Sequence, residues 1–499
     1  MNAPPQATRP VRFVHRGAIV EHAAPEPTRT VLQWLREEAR CTGTKEGCNE
    51  GDCGACTVLV GELAADGTVA FKPLNSCIQF LPALDGKALL TVEDLAPAGG
   101  PLHPVQQAMV DCHGSQCGFC TPGFVMSLVA TRERHAAAGT APTRQQIADD
   151  LSGNLCRCTG YRPILDAGER ACAAPGARID TTAIAAALRT LQADAPLATA
   201  SGFFAPKTVE QLAALLEAKP TATILAGSTD VGLWVTKQFR PLREIVHVGA
   251  VAELQRIEEC DGQLVIGAGA TLEAAWAALA ARWPALHELW LRFAGRPTRE
   301  AGTMGGNLAN GSPIGDSAPV LMALGATLVL QKGSRVRRVV LDHFYTGYMK
   351  NQREPGEFVR AVELPLPDAA TTVWAFKISK RYDCDISAVC AGIALTRDAA
   401  GTVTAARLAF GGMAATVARA PAAEAALIGR VFDAAAADAA AAALAADFTP
   451  MNDLRASAAY RLQVAGNLIR RAALEAAGGA PVTVWDRTLS ATVGAPEAA

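Results

Sequence analysis

An excess of either charge is the first thing this 499-residue sequence lacks: 46 Lys and Arg stand against 48 Asp and Glu, a formal net charge of -2. No electrostatic face for wrapping nucleic acid is expected. Aromatic residues are scarce, at 5%, although half the residues are hydrophobic, so the core must be aliphatic, Ala-rich and spread over several units. Long apolar runs are missing too. The most apolar stretch, 434–446, is interrupted by Asp438 and falls well short of the roughly 18 consecutive apolar residues of a membrane span. It reads as an Ala helix at a solvent edge, and no membrane anchor is expected. Residues 1–10 lack a charged segment leading into an apolar one, so no secretory signal is expected and a cytoplasmic location follows. The eight histidines show no H-E-x-x-H or other ligand spacing, and no serine sits in a G-x-S-x-G elbow, so neither a histidine-held metal nor a hydrolase triad is indicated.

At about 150 residues per domain, the length suggests three or four domains. Residues 11–20 read as a strand entering a turn, and 30–38 as a short amphipathic helix. Strands at 57–60 and 89–92 flank an Asp66-Gly67 turn, so 10–93 reads as a small α+β unit. Helical spacing over 105–110, 123–132 and 144–151 gives a helical unit for 94–172. Residues 173–200, with Pro175-Gly176 and Pro196, read as a linker with a helical middle. From 201 to 372, strands at 223–225, 245–248 and 264–266 alternate with helices such as 209–218, an α/β pattern. A last unit, 373–480, has strands at 388–396 and 405–411 and then Ala-rich helices.

Fourteen cysteines are present, and ten precede residue 160, which places metal or redox chemistry in the first third of the chain. Cys48, Cys53 and Cys56 have C-x4-C-x2-C spacing, with Cys77 after twenty intervening residues: the plant-type [2Fe-2S] pattern. Gly47, Gly51 and Gly54 allow the tight loop that brings three thiolates together. A zinc knuckle lacks its paired C-x2-C halves here. The second set joins Cys117 and Cys120, in C-x2-C spacing, to Cys156 and Cys158, in C-x-C spacing. A second iron-sulfur cluster fits where the two segments meet, and zinc fits the ligand count as well. Glycine-rich loops follow at 226–230 and 301–307, suited to presenting N–H groups to phosphates, though either alone is also an ordinary turn. Residues 265–270 imitate a Rossmann opening, but Leu272 stands at the third glycine position, so a Rossmann site is not supported.

The segments Gly-Thr-Lys-Glu-Gly-Cys at 43–48, Gln-Cys-Gly-Phe-Cys-Thr-Pro-Gly at 116–123 and Cys-Arg-Cys-Thr-Gly-Tyr at 156–161 stand in this order ahead of the glycine loops. Over nearly the whole chain the sequence resembles the iron-sulfur and flavin subunits of the molybdenum hydroxylase family, on its xanthine dehydrogenase branch. The resemblance implies an α+β multidomain fold. It would comprise a β-grasp plant-type ferredoxin domain, a helical [2Fe-2S] domain, an α/β FAD-binding domain of the vanillyl-alcohol-oxidase and CO-dehydrogenase-flavoprotein type, and a C-terminal α/β flavoprotein domain. It implies two [2Fe-2S] clusters held by the eight cysteines. FAD contacts carry over onto Ile224, Leu225, Ala226, Gly227, Ser228, Thr229, Asp230, Val231, Phe293, Thr303, Asn307, Asp316, Val359 and Lys377. Asp316 would meet ribityl or ribose hydroxyls, Phe293 would pack on the isoalloxazine, and Lys377, on its own a solvated lysine, would be the cation near the flavin. The loop 378–387 would lie beside the flavin and influence NAD access, with Cys384 where an acidic residue is common. Residues 411–414 match a further family motif, which a strand-to-helix turn explains equally well.

Nothing past about residue 480 fits a molybdenum-pterin domain, so that centre is expected on a partner large subunit, with no hydroxylation catalysis on this chain. Gln116 would face the pterin. Electrons from hypoxanthine or xanthine oxidation to uric acid would cross the helical-unit cluster, the plant-type cluster and FAD to reach NAD. A dimer of two-chain units is implied. Two other readings stay open: the equivalent subunit of a hydroxylase acting on aldehydes, carbon monoxide or N-heterocycles, and a non-catalytic zinc-binding scaffold.

Overall fold

Strands Val11–His15 and Ala18–His22 pair antiparallel about Arg16 and Gly17, both at positive φ (53° and 73°). That is the tight two-residue turn matching strand twist, and glycine takes its second position without a Cβ penalty. The sequence predicts a strand entering a turn over 11–20; the turn comes at 16–17, inside that stretch, and a second strand follows it. The computed structural model describes residues 7–96, 99–174 and 178–480. Pro175-Gly176, most of the 1–10 stretch and everything past 480 lie outside the described residues.

Thr30 opens helix Val31–Glu37 with a capping box, its hydroxyl accepting from Gln33 N at 3.2 Å while Gln33 Oε1 accepts from Thr30 N at 2.9 Å. The first sheet runs Ala18–His22, Val11–His15, Ala88–Leu90, Thr57–Leu63, Val69–Asn75. The sequence reading set 57–60 and 89–92 on either side of the Asp66-Gly67 turn. The strand that follows the turn is in fact Val69–Asn75. Lys72 and Pro73 hide its strand character, and its place at the sheet edge is where proline is tolerated.

Helices Pro104–Asp111, Thr121–Ala138, Arg144–Asp150 and Arg162–Ala173 enclose Phe124, Leu128, Val129, Ile147, Ile164 and Ala167. The stretch read as a linker carries helix Thr182–Gln192, and its Ile184, Ala185, Leu188 and Leu191 are buried in the same core as Val14 and Leu59. A four-stranded sheet follows, ordered Leu197–Ala198, Phe203–Ala205, Ile245–His247, Thr223–Leu225, with Ile245–His247 parallel to both of its neighbours.

Packing divides the chain into two compact units, Met1–Leu254 with Ala294–Thr303 and Gln255–Phe293 with Met304–Ala499. The second contains an antiparallel sheet ordered Ile257–Cys260, Gln263–Gly267, Phe358–Pro365, Thr327–Lys332, Arg335–Val340. It also contains the meander Thr371–Ile378, Val389–Arg397, Val403–Gly411, Ala418–Arg419. Helices Ala434–Asp447 and Ala458–Ala476 complete the meander's core. The expected solvent-edge Ala helix has one fully buried face, Ala436, Ala437, Ala440 and Leu444, because its small side chains let the last helix approach closely. No described helix is long and apolar enough to cross a membrane.

Candidate functional site

The loop carrying Cys48, Cys53 and Cys56 is wound by three residues at positive φ: Asn49 (55°), Gly51 (78°) and Gly54 (69°). A Cβ at Gly47 would stand 2.8 Å from the Cys53 sulfur. Winding turns backbone donors inward, so Asp52 N and Cys53 N lie 3.4 and 3.3 Å from Cys48 Sγ. Cys77 arrives just past strand Val69–Asn75, where Ser76 Oγ donates to Cys56 O (2.7 Å) and Asn75 Nδ2 to Gly51 O (2.7 Å). Cys56 and Cys77 are buried with Leu32 and Ile78, while Cys48 and Cys53 are half-buried.

The four sulfurs meet as a chain, Cys53 to Cys48 to Cys77 to Cys56. Cys48 is held well below the ordinary thiol range by hydrogen bonds from the Cys53 and Cys77 thiols, and Cys56 is lowered by the Cys77 thiol. The donors Cys53 and Cys77 are correspondingly pushed far up.

At the second set, Cys117 and Cys120 stand at the entry to helix Thr121–Ala138, and Cys156 and Cys158 lie in the loop before Arg162–Ala173. Cys117 meets Cys158, and Cys120 meets Cys156. Burial, reinforced by the bond to Cys156, pushes Cys120 up to about 12. The Phe119 N–H and then the Cys158 thiol draw Cys117 down. Cys156 is lowered as well: although burial opposes it, the Thr159 hydroxyl at 3.3 Å and the Thr159 and Cys158 N–H groups prevail. Tyr161 Oη accepts from Cys156 N at 3.0 Å. Cys117 and Cys158 are exposed, as are Gln116, Phe119 (47%) and Tyr161 (39%).

Among the described residues, no three His, Cys, Asp or Glu side chains converge on a point that would hold a single metal ion. A lone zinc needs four donors at about 2.3 Å or less from one centre. Four thiols gathered at each set supply the ligand number of a binuclear iron-sulfur cluster.

Within the first unit these loops are fastened to one another and to the first glycine loop. Leu155 N donates to Cys53 O (3.0 Å) and Asn154 Nδ2 to Gly54 O (3.1 Å). A Cβ at Gly54 would fall 2.2 Å from Gly153 O, and one at Gly123 would fall 2.1 Å from Gly54 O, so no other side chain fits either place. On the other side, Ser228 Oγ donates to Ile78 O (2.6 Å) and Gln79 Nε2 to Gly227 O (2.8 Å). The residues directly following Cys77 thus hold the loop at 226–230.

That loop leaves strand Thr223–Leu225, taking Ile224 and Leu225 with it, and runs through Ala226, Gly227, Ser228, Thr229 and Asp230 into helix Val231–Thr236. Ser228 sits at φ 64°. A Cβ at Gly227 would lie 1.8 Å from Ala301 O, so bare backbone from both glycine segments comes together beside Thr303, which is buried. Such a side-chain-free approach fits a phosphate-bearing cofactor.

The remaining flavin candidates belong to the second unit. Phe293 is buried against Trp276, ring centroids 6.0 Å apart. Asn307 is in helix Met304–Asn310, and Val359 is in strand Phe358–Pro365 beside a register shift. Lys377 is no solvated lysine: it is 5% exposed, donating to Asp316 Oδ2 at 2.7 Å and Ser387 Oγ at 2.8 Å, while Ser387 donates to Asp316 Oδ1 at 2.6 Å. The neighbouring Ser317 hydroxyl is buried without a partner, a polar atom that a cofactor's hydroxyls would satisfy. Arg292, next to Phe293, holds the 378–387 loop through Tyr382 O (2.9 Å) and Ser379 Oγ (3.2 Å), and Cys384 lies in it at φ 46°.

Sequence reasoning singles out the cysteines and glycines but gives no role to Asn154 and Gln79, which hold their loops, or to Ser387, which bonds Asp316 and Lys377. Asn154 stands two residues before Cys156, just ahead of the 156–161 segment, a neighbourhood that marks it as a candidate support. Gln79 and Ser387 carry no local signal.

Comparison with known proteins places four families along the chain. These are a 2Fe-2S iron-sulfur cluster binding domain (14–78), a [2Fe-2S] binding domain (91–169), an FAD binding domain in molybdopterin dehydrogenase (198–367) and a CO dehydrogenase flavoprotein C-terminal domain (374–476). Xanthine dehydrogenase of Drosophila subobscura is 32% identical over 482 residues, covering 84% of this chain and 36% of the relative. That of Emericella nidulans is 32% identical over 486 residues, covering 85% and 35%. The chain thus spans about a third of these relatives' length. Among solved structures, a carbon monoxide dehydrogenase from Hydrogenophaga pseudoflava matches with TM-score 0.52 and 31% identity over 54% of this chain and 94% of its own. Quinoline 2-oxidoreductase from Pseudomonas putida 86 matches with TM-score 0.51 and 28% identity over 56% and 98%.

Proposed function

The chain belongs to the molybdenum hydroxylase family, as its iron-sulfur and FAD electron-transfer region, and we propose that it serves a xanthine dehydrogenase that oxidises hypoxanthine and xanthine to uric acid with NAD. The carrying observation is the run of hydrogen-bonded backbone from the Cys156 loop through Cys53 and Gly54, past Cys77 and Ile78, to Gly227 and Ser228. Cys48, Cys53, Cys56 and Cys77 are the proposed ligands of one cluster, and Cys117, Cys120, Cys156 and Cys158 those of the other. Residues 224–231 and Thr303 in the first unit, and Phe293, Asn307, Asp316, Val359 and Lys377 in the second, are the proposed FAD residues. When bound, the clusters supply one-electron transfer and the flavin collects two electrons for NAD. The chain's own contribution is rigidity: Asn154, Gln79 and Ser228 hold adjoining loops so that none need move as charge passes. The functional partition proposed is 10–93, 94–172, the connecting 173–200, 201–372 and 373–480.

Xanthine dehydrogenase is favoured because single matches to those relatives cover 84% and 85% of this chain, whereas the solved neighbours cover little more than half of it. A molybdenum-pterin large subunit would dock where Cys117, Cys158, Phe119 and Tyr161 are exposed, in a dimer of two-chain units. All fourteen cysteines are free, which accords with a reducing cytoplasm. The likeness to carbon monoxide and quinoline enzymes supports a second reading, another molybdenum hydroxylase substrate.

The test is a purified complex analysed for about four iron, about four acid-labile sulfides and about one FAD per chain, then assayed with xanthine and NAD. Uric acid formation supports the proposal. A fully loaded complex that makes none but turns over quinoline or an aldehyde establishes the second reading, and stoichiometric zinc without iron would establish a scaffold.

A further inference from the structure

Lys237 directly follows helix Val231–Thr236, the helix that begins at the glycine loop. Its ammonium reaches out of that segment to the cysteine loop, where Nζ donates to Cys48 O at 2.5 Å and lies 3.6 Å from Glu50 Oε2. Cys48 is the first of the four cysteines proposed to hold the plant-type cluster. One positive and one negative side chain therefore sit within a residue or two of a proposed ligand, and the positive one is bonded to that ligand's own carbonyl.

We propose that Lys237 sets the reduction potential of the plant-type site, its charge stabilising the reduced form and Glu50 opposing it. This rests on the cluster assignment above. Reduction adds one electron, and no bond of the chain forms or breaks, so the added negative charge is felt directly by fixed charges nearby. Coulomb attraction from a cation held on the ligand backbone favours the reduced state, and a carboxylate disfavours it. Both side chains are about 40% exposed, so water and salt weaken each effect without abolishing it. The placement also joins two parts of the electron route: the residue that adjusts the cluster belongs to the segment expected to hold the flavin.

A merely structural tether would act differently from a charge. Lys237→Gln removes the charge while keeping an amide donor, Lys237→Arg keeps the charge, and Glu50→Gln removes the opposing charge. The experiment is a dithionite potentiometric titration of the complete chain, loaded with iron and FAD, following the plant-type cluster by EPR at low and high salt. Lys237→Gln is expected to make that cluster up to about tenfold harder to reduce, or about 59 mV for one electron. Glu50→Gln should shift it the opposite way, Lys237→Arg should leave it near wild type, and both shifts should shrink in high salt. An unchanged potential in Lys237→Gln with its EPR signal intact, or shifts of the same sign in Lys237→Gln and Glu50→Gln, would overturn the proposal. A wild-type chain with iron bound but no binuclear signal would overturn the cluster assignment beneath it instead.

Discussion

Lys377, Asp316 and Ser387 close a ring of three hydrogen bonds inside the second unit, with both charges more than nine-tenths buried. Removing one member of such a pair strands its partner's charge away from water, a cost of about 3–5 kcal/mol. Lys377→Met should therefore lower the unfolding free energy of the FAD-free chain by about that much, measured by denaturant titration. The double variant Lys377→Met with Asp316→Asn should recover part of the loss, because no charge is left unpaired; a double variant less stable than the single one would show that the ring is not an ion pair in energetic terms. The ring was only half legible. Asp316 and Lys377 were expected at the flavin from the resemblance, but their partnership spans 61 positions and Ser387 joins from another strand's approach, so no local pattern announces it. The cysteines were legible for the opposite reason. Seven of the eight lie in three tight spacings, and the chemistry of thiolate ligands leaves few other uses for them.

Elements were readable where periodicity and turn residues agreed, as in helices Val31–Glu37 and Val209–Ala218. Strand Val69–Asn75 escaped because Pro73 argues against a strand unless the strand is known to be an edge, and edge position is a property of the sheet. The glycine loop at 226–230 shows the same limit. Its glycines were evident, but the reason Gly227 must be glycine is the Ala301 carbonyl, 74 positions away, that a Cβ would strike at 1.8 Å. Gly227→Ala should force these two backbones apart. FAD affinity is expected to fall by more than tenfold while iron content stays at the wild-type level, read as the FAD-to-iron ratio of the purified chain. Unchanged FAD affinity would mean that this approach of backbone does not form the cofactor's seat.

At the scale of the whole chain, the path passes between the two compact units three times, near 254, 293 and 303, so that Phe293 falls in one unit and Thr303 in the other. Composition and periodicity do not mark such exchanges, because they report a residue's neighbours along the chain and not the unit it packs into. What composition does give is the segregation of cysteines, and their burial then separates the two sets. At the plant-type set, Cys56 and Cys77 are buried with Leu32 and Ile78. At the helical set, Cys117 and Cys158 are exposed beside Phe119 and Tyr161. Exposed thiolate ligands lose iron to a competing chelator without any unfolding, whereas buried ones require the loop to open first. The isolated loaded chain in excess chelator should therefore pass through a state holding about two of its four irons, with the plant-type EPR signal persisting and the other gone. A molybdenum-pterin partner docked on the exposed face should slow the first loss and leave the second unchanged. Equal rates of loss from both sets would remove the argument from exposure, and with it the reason for placing the partner against Cys117 and Cys158.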